Sequence, residues 1–247
     1  MLKTVAIGVN RLSDIARALN LSKSTTHRLL NTLERTGFVM QDDIMRKYYL
    51  GPLFLTLSSA PLVTHSNLVE CAIGDIKKLH ESSGETVALY IRIGTQRICL
   101  EELASPKPIK FMAGKGYIAP VYAGAPGRIL LSRLKDDQLD RLLEHVEFIQ
   151  ITPNTITDKE VLRQELEKVR KDGYAISFGE RVIGSASISA PVKNYSVPVA
   201  LCIVGPHDRI STNLKSLLQE IKVTAARISN RLKEGVTAAD RKNVKRD

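Results

Sequence analysis

The chain has 247 residues, of which 43% are hydrophobic and 25% are charged, and this balance excludes a disordered or fibrous protein. No apolar run approaches the roughly 18 residues of a membrane span, and no cleavage site follows the apolar start, so we expect a cytoplasmic protein with no membrane partner. The net charge is +10, of which residues 1–51 carry +4 and residues 215–247 carry +5. Basic ends are typical of nucleic-acid binding and also of solvated helix faces and tails.

The first basic segment predicts two short helices joined by a tight turn. Residues 12–19 carry apolar side chains at three- and four-residue spacing, and Ser13 is a good N-cap for that helix. Asn20 tolerates the left-handed conformation that ends a helix, and Ser22 predicts the cap of a second helix that stops at Gly37. Two helices of this length with a short turn between them predict a helix-turn-helix.

The second of these helices has one apolar face and one polar face. We expect the apolar face to be buried through Thr26, Leu29, Leu30 and Leu33. Hydroxyl groups at the helix start, and arginines further along the opposite face, are suited to phosphates and base edges in a major groove. The residues of this helix and its cap that we predict to contact DNA are Ser22, Lys23, Ser24, Thr25, His27, Arg28, Thr32 and Arg35.

A short hairpin is predicted after this helix. Two β-prone runs, residues 38–40 and 48–50, flank the polar stretch QDDIMRK, which predicts the wing of a winged helix. Arg46 and Lys47 would then lie close to a phosphate backbone. The alternative is a winged helix that serves only protein interactions and touches no DNA.

The remainder of the chain predicts a second domain. A helical stretch is predicted from residue 53 to about residue 83, and Pro61 should kink or break it. We expect the first part to be a linker and dimer contact. The alternative is a packed helix within one continuous domain. The predicted strands are Thr86–Ile93, Gln96–Leu103, Ala175–Val192 and Val197–Val204, and the predicted helices are Asp136–Leu143, Asp158–Lys171 and Thr212–Lys233. Neighbouring strand pairs with helices grouped around them indicate an α+β domain on an antiparallel sheet.

A turn rich in small residues, Tyr122–Arg128, leads into a further predicted helix with Pro126 near its first position. Free backbone N–H groups at a helix start attract anions, and small residues let the main chain approach a ligand closely. A carboxylate is the ligand that this chemistry favours. The alternative is a plain helix N-terminus packed against the sheet.

Patterns that would indicate catalysis or metal binding are missing from the sequence. The segment GSASIS lacks the second glycine of a nucleophile elbow, because Ile188 stands in its place. The five histidines show no metal-ligand spacing, and the three separated cysteines form neither a zinc knuckle nor a disulfide framework. We therefore expect no enzyme, no metal and no cofactor. A module that senses a metabolite and acts through protein partners, without direct DNA binding, is the alternative to a DNA-binding regulator.

Several segments resemble one protein family in order and spacing. SKSTTHRLLNTLERTGFV, followed by YYLGPLFLTL, resembles the DNA-binding domain of IclR-type (isocitrate lyase regulator) transcription factors, and GETVALYIRIGTQRICLEEL and SISAPVKNYSVPVALCIVGP resemble segments of the family's effector domain. The resemblance implies a homodimer or homotetramer that binds double-stranded operator DNA, usually as a repressor, and responds to a small organic acid. It implies a winged helix-turn-helix at 1–52, a helical linker at 53–67, a GAF-like effector domain at 68–235 and a basic tail at 236–247.

The same resemblance implies a set of pocket contacts. By position they are Phe111, Ala119, Gly124, Ala125, Pro126, Ser177, Ser187, Cys202 and Val204. Ser187 and Cys202 fall on neighbouring predicted strands with inward-facing parity, where they can hydrogen-bond an acid. The sequence departs from the family where Arg128 replaces the usual lysine and where only Glu180 fills a run that is often acidic. The family's first helix is longer than the 12 residues before Ser13, so we expect the given start to lie within that helix.

Overall fold

The computed structural model describes residues 1–58 and 65–243, with side chains described as far as residue 234. The chain forms two compact units, Met1–Ser66 and Asn67–Asp247. Each unit is built around its own hydrophobic core. Within the described ranges, no helix is both long and apolar enough to cross a membrane.

The first unit is a winged helix-turn-helix. Its elements are α1 (Leu2–Ala6), α2 (Leu12–Ala18), α3 (Lys23–Arg35), β1 (Val39–Gln41), β2 (Tyr48–Leu50) and α4 (Leu53–Ser58). The apolar sides of the first three helices and of the hairpin meet in a small core whose buried members are Val5, Ile15, Leu30, Val39 and Tyr48. The turn between α2 and α3 contains Asn20 at a φ of 52°, so the predicted left-handed helix end is present.

The start of α2 differs from the prediction. The helix begins at Leu12 with Arg11 as its N-cap residue, so Ser13 lies inside the first turn and is not the cap. An antiparallel bridge between Arg11 and Lys47 holds the Arg11 backbone extended, with φ −95° and ψ 142°. This contact with the wing fixes where the helix starts, and no local pattern in the sequence predicts it.

The buried stripe of α3 also differs from the prediction at one position. Thr26 and Leu30 are completely buried, as expected, but Leu29 is 42% exposed. At 3.6 residues per turn, Leu29 lies one turn beyond Thr25 on the polar side of the helix. The predicted burial of Leu29 is therefore wrong, and the polar face contains one large apolar side chain.

The second unit is a six-stranded antiparallel sheet with helices on both faces. Its elements are α5 (Ser66–Ser83), β3 (Thr86–Ile93), β4 (Gln96–Leu103), β5 (Ile118–Pro120), α6 (Ala125–Ser132), α7 (Asp136–Glu144), α8 (Lys159–Asp172), β6 (Ala175–Phe178), β7 (Ser185–Val192), β8 (Val199–Pro206), α9 (His207–Thr212) and α10 (Leu214–Asn243). The strand order is β5-β4-β3-β8-β7-β6, and every neighbouring pair is antiparallel. The predicted α+β fold class is confirmed.

Successive side chains of each strand point to opposite faces of the sheet, and this divides the core of the unit into two layers. On one face of the sheet, Leu89 and Leu201 belong to a cluster with residues of α5 and α10, such as Ile76. On the other face, Tyr90 and Cys202 belong to a cluster with residues of α6, α7 and α8. A cavity lies on this second face, so the residues that line it from the strands are those of one parity.

Two predicted boundaries in this unit differ from the structure. Residues 179–184 form a loop that divides the predicted strand segment 175–192 into β6 and β7. The helix predicted to end at Lys233 continues to Asn243, so part of the predicted tail is helical. Pro61, which was expected to interrupt the linker, lies outside the described residues, as do the last four residues of the tail.

Candidate DNA-binding and ligand-binding sites

The start of α3 is fixed by hydrogen bonds within its first turn. Ser22 Oγ accepts a hydrogen bond from the backbone N–H of Thr25 at 3.1 Å and donates one to the Thr25 hydroxyl at 2.8 Å. Ser22 Oγ also lies 3.0 Å from Ser24 Oγ. Ser22 is therefore the N-cap of α3, as predicted. Thr25 is half-buried. The hydroxyl cluster orders the end of the helix that a winged helix presents to DNA.

The outer face of α3 is exposed and positively charged. The predicted contact residues that are exposed along it are Lys23, Ser24, His27, Arg28, Thr32 and Arg35. Neither Arg28 nor Arg35 forms an ion pair with any described side chain, which leaves both guanidinium groups available for phosphates or bases. Leu29 joins the same face and offers an apolar surface of the kind that contacts thymine methyl groups. Sequence reasoning missed Leu29 because it assigned every leucine of this helix to the core.

The wing is held in shape by Asp42. Its Oδ1 accepts hydrogen bonds from the backbone N–H groups of Ile44 at 2.9 Å and Met45 at 2.7 Å. Arg46 follows in the left-handed conformation, with φ 55°, and its side chain is exposed. Lys47 is half-buried. Of the two predicted wing contacts, Arg46 is therefore the more accessible to a phosphate backbone.

A cavity of about 90 Å³ lies in the second unit, several times the space that one water molecule needs. Seven of the nine predicted pocket residues line it, namely Phe111, Gly124, Pro126, Ser177, Ser187, Cys202 and Val204. Ala119 and Ala125 are not in the lining. Ala119 is buried on β5 opposite Arg97, and Ala125 is completely buried in the layer of α6. The lining residues that the sequence did not predict are Tyr90, Arg97, Met112, Ala113, Glu180, Arg181, Val182 and Ser185.

The small-residue turn before α6 is explained by close packing within the protein. Gly124 has a φ of 88°, a conformation that side chains other than glycine rarely adopt. A side chain at Gly127 would overlap the carbonyl oxygen of Val121 and would approach Arg97 Nη1 to 3.1 Å. The glycines therefore let α6 lie directly over Val121 and the Arg97 guanidinium.

An internal carboxylate occupies the position that the sequence suggested for a ligand. The backbone N–H of Gly124, at the start of α6, donates a hydrogen bond to Glu180 Oε2 at 2.9 Å. Arg128 Nη1 lies 2.5 Å from Glu180 Oε1, and the Arg128 guanidinium also donates to the Ile176 carbonyl. Both side chains of this ion pair are buried. The N–H group of Gly124 is consequently satisfied within the protein, and a bound acid has to find its donors elsewhere in the cavity.

Arg97 is the strongest candidate for such a donor. It is 2% exposed, donates to the Ala123 carbonyl and lies 5.5 Å from the centre of the Tyr90 ring. Its Nε has no hydrogen-bond partner, and no carboxylate in the described part of the chain pairs with it. Burial, together with the positive charge of Arg181, lowers the pKa of Arg97 to about 10, so the group is still a cation at neutral pH. Its sequence signal is an arginine on β4 with the same inward-facing parity as Cys99.

The other polar groups of the cavity are weaker candidates for pairing with an acid. Arg181 is half-buried and donates to Tyr117 Oη at 2.8 Å. Burial raises the pKa of the Cys202 thiol to about 11, which keeps it protonated at neutral pH. No group of three His, Cys, Asp or Glu residues in the described ranges could hold a metal ion. The cavity is therefore suited to binding an anion through guanidinium and hydroxyl groups.

Comparisons with known proteins agree across both units. Residues 6–43 match the IclR helix-turn-helix domain, and residues 60–230 match the domain described as bacterial transcriptional regulator IclR C-terminal. The chain is 29% identical to the HTH-type transcriptional regulator KipR of Bacillus subtilis over 224 residues, which cover 90% of this chain and 89% of that protein. It is 30% identical to the HTH-type transcriptional repressor AllR of Escherichia coli over 206 residues, which cover 83% of this chain and 76% of that protein.

A solved structure agrees with these sequence matches. The fold is similar to that of the Thermotoga maritima IclR, with a TM-score of 0.75 and 26% identity, over 94% of this chain and 95% of that chain. The resemblance found in the sequence is thereby confirmed. The chain belongs to the IclR family of bacterial transcriptional regulators and carries that family's helix-turn-helix DNA-binding domain.

Proposed function

We propose that this protein is a cytoplasmic repressor that binds a pseudo-palindromic operator as a homodimer, or as a tetramer of two such dimers, and changes its operator affinity when a small organic acid binds. Repression is favoured over activation because the relative AllR is named a repressor. The observation that carries the sensory half of the proposal is Arg97, a buried cation in the wall of a cavity, with which no carboxylate of the described residues pairs.

The DNA-binding half rests on the outer face of α3. Two-fold symmetric dimers of helix-turn-helix proteins place their recognition helices in major grooves about one helical turn apart. In this chain the exposed arginines Arg28 and Arg35 lie on the recognition helix, and Arg46 lies on the wing. Arg28 would bind a guanine edge or a phosphate, and Arg46 with Lys47 would bind phosphates alongside.

The acid-binding half rests on the cost of burying a charge. A guanidinium taken out of water loses hydration, and only a paired anion with good hydrogen bonds compensates for that loss. The planar group binds a carboxylate through two parallel hydrogen bonds. Ser177 and Ser187 add hydroxyl groups to the cavity wall. A ligand that binds one DNA-binding state better than another changes operator affinity by that difference.

Operator binding tests the DNA-binding half. Using DNA from upstream of the chain's own gene, we expect Arg28→Ala to weaken binding by about 1–3 kcal/mol and to relax the base preference at one position. Lys47→Ala should weaken binding to all sequences alike and reduce the salt slope by about one. Lys171→Ala removes the same charge at an exposed position of the second unit and serves as the control. Fluorescence anisotropy at several salt concentrations measures these effects. Wild-type affinity in Arg28→Ala would mean that this face does not read DNA.

The same titration with a panel of organic acids tests the sensory half. A bound acid should change operator affinity by roughly 5- to 150-fold. Arg97→Gln should bind operator as the wild type does and lose the response to the acid. A response that persists in Arg97→Gln would place the sensor elsewhere, and failure of the wild type to bind any DNA would contradict the proposal as a whole.

A further inference from the structure

The cavity of the second unit has more positive than negative charge in its wall. Its charged lining residues are Arg97, Glu180 and Arg181. Both oxygens of the Glu180 carboxylate are engaged within the protein, one by Arg128 at 2.5 Å and the other by the N–H of Gly124 at 2.9 Å. The charge of Glu180 is therefore neutralised internally. Two guanidinium groups are left without a carboxylate partner among the residues that the structure describes.

The first of these groups, Arg97, is fully enclosed. Its hydrogen-bonding partner is the Ala123 carbonyl, its Nε has none, and Tyr90 contributes only the face of its ring. These contacts are dipolar and do not neutralise a full charge. A ligand with one negative charge would compensate the charge of Arg97.

The second group, Arg181, lies on the loop between β6 and β7. It donates to Tyr117 Oη at 2.8 Å and lies 4.9 Å from the centre of that ring. Tyr117 is a neutral partner, so Arg181 also keeps its full positive charge. Both guanidinium groups line the same cavity, and the charge of Arg181 contributes to the lowered pKa of Arg97. A ligand with one negative charge would compensate one of them and leave the other uncompensated beside it.

We propose that the ligand of this cavity is a small dianion with two carboxylate groups, one paired with Arg97 and the other with Arg181. This inference rests on the proposed function, because it assigns a chemical class to the acid already placed in the cavity. The volume of about 90 Å³ suits a short diacid. Met112, Val182 and Val204 give the wall apolar patches that suit the carbon chain between the two acid groups.

Matched pairs of acids separate a dianion site from a site for any acid. The full-length protein is titrated calorimetrically with the linear diacids from malonate to adipate, with phthalate and terephthalate, and with the monoamide of each. The two members of a pair differ by one charge and hardly in size. We expect the best diacid to bind at least about tenfold more tightly than its monoamide, because a charge-assisted hydrogen bond is replaced by a neutral one.

Variants assign the two ends of the ligand. Arg181→Gln should lower the affinity for the best diacid, and this loss should be at least about tenfold larger than the loss of affinity for the corresponding monoamide. The reason is that only the diacid loses an ion pair. Arg97→Gln should weaken both members of the pair. Arg133→Gln is the matched control: it removes the same charge at an exposed position at the far end of α6 and should change neither affinity.

The outcomes distinguish this inference from the proposed function. If monoamides bind as tightly as their diacids, or if Arg181→Gln weakens both equally, the dianion inference is wrong while an acid site at Arg97 stands. If the wild type binds no member of the panel, the diacid class is wrong, and the operator titration with a wider set of acids decides whether the cavity is a sensor at all.

Discussion

Two sites in the second unit contain a buried charged side chain, Glu85 in one and Arg97 in the other. Groups of opposite charge compensate Glu85, whereas none among the described residues compensates Arg97. Just before β3, the buried carboxylate of Glu85 receives two hydrogen bonds from Arg209, each of 2.7 Å, and one from Lys107 at 2.9 Å. In the cavity, Arg97 is as deeply buried as Glu85, and its partners within the described ranges are a carbonyl group and an aromatic ring.

Under the proposed function, the difference separates a charge that serves the fold from one that serves a ligand. The Glu85 cluster joins the start of β3 to α9 and satisfies its carboxylate with the chain's own cations. Glu180 and Arg128 form a second pair at the cavity in which both charges are compensated, although Arg128 Nε, like Arg97 Nε, has no hydrogen-bond partner. Among the residues that the structure describes, Arg97 has no such partner, and a protein that keeps an uncompensated buried charge loses stability unless something else supplies the counter-charge. We infer that the fold supports Arg97 at a cost that ligand binding recovers.

The largest effect that this comparison predicts follows from breaking a complete pair. Glu180→Gln removes the counter-charge of the buried Arg128 while keeping the shape of the side chain, so the free energy of unfolding should fall by about 3–5 kcal/mol. Urea denaturation measures it. Glu160→Gln is the control, because its ion pair with Arg163 is exposed and is worth at most about 1 kcal/mol. Equal losses in both variants would mean that burial adds nothing to the Glu180 pair.

The complete cluster at Glu85 predicts a pH dependence. Burial alone would raise the pKa of Glu85, but hydrogen bonds from Arg209 and Lys107 outweigh that effect and hold the pKa below its ordinary value of 4.5. A carboxyl group with a lowered pKa stabilises the fold above its ordinary pKa and loses this contribution as the pH falls through the folded-state value. The free energy of unfolding of the wild type should therefore decrease below about pH 4.5.

Variants of Glu85 sharpen this prediction. Glu85→Gln should start from a lower free energy of unfolding at neutral pH and should lose less of it on acidification, because the titrating group is gone. Glu167→Gln, at an exposed position of α8, should keep the wild-type pH dependence. Identical acid profiles in Glu85→Gln and the wild type would show that this cluster does not contribute to acid unfolding.

The two units differ in how far the sequence predicts them. Signals in the first unit are local: Ser22 caps α3, Asn20 ends α2, and the wing turn is short, so the helix-turn-helix is readable from neighbouring residues. Its errors, Ser13 and Leu29, arise where the hairpin packs on the helices and where one leucine lies beside the buried stripe. The contact between the hairpin and α2 is a tertiary contact that overrides the local preference for Ser13 as the cap.

The cavity depends on contacts between distant segments. The family resemblance predicts Ser187 and Cys202 as pocket residues, and pairing of β7 with β8 brings their strands together. The partners of Arg97 come from the turn before α6 and from β3, and those of Glu180 come from the N-cap residue of α6 and from α6 itself. No spacing in the sequence reveals that Glu180 accepts the hydrogen bond of Gly124 at the start of that helix, which is why the sequence predicts an external acid there.

The most direct test of the central claim compares two methionine variants, one of the cavity arginine Arg97 and one of Arg128, which pairs with Glu180. In Tris-chloride buffer free of organic anions, Arg128→Met should lower the free energy of unfolding by about 3–5 kcal/mol, because it leaves Glu180 buried without its cation. Arg97→Met removes a buried charge that no carboxylate of the described residues compensates, so its free energy of unfolding should equal or exceed the wild-type value, by up to about 2 kcal/mol. A loss in Arg97→Met as large as that in Arg128→Met would mean that Arg97 is part of the fold's own charge pairing, and the account of an anion-binding cavity would be contradicted.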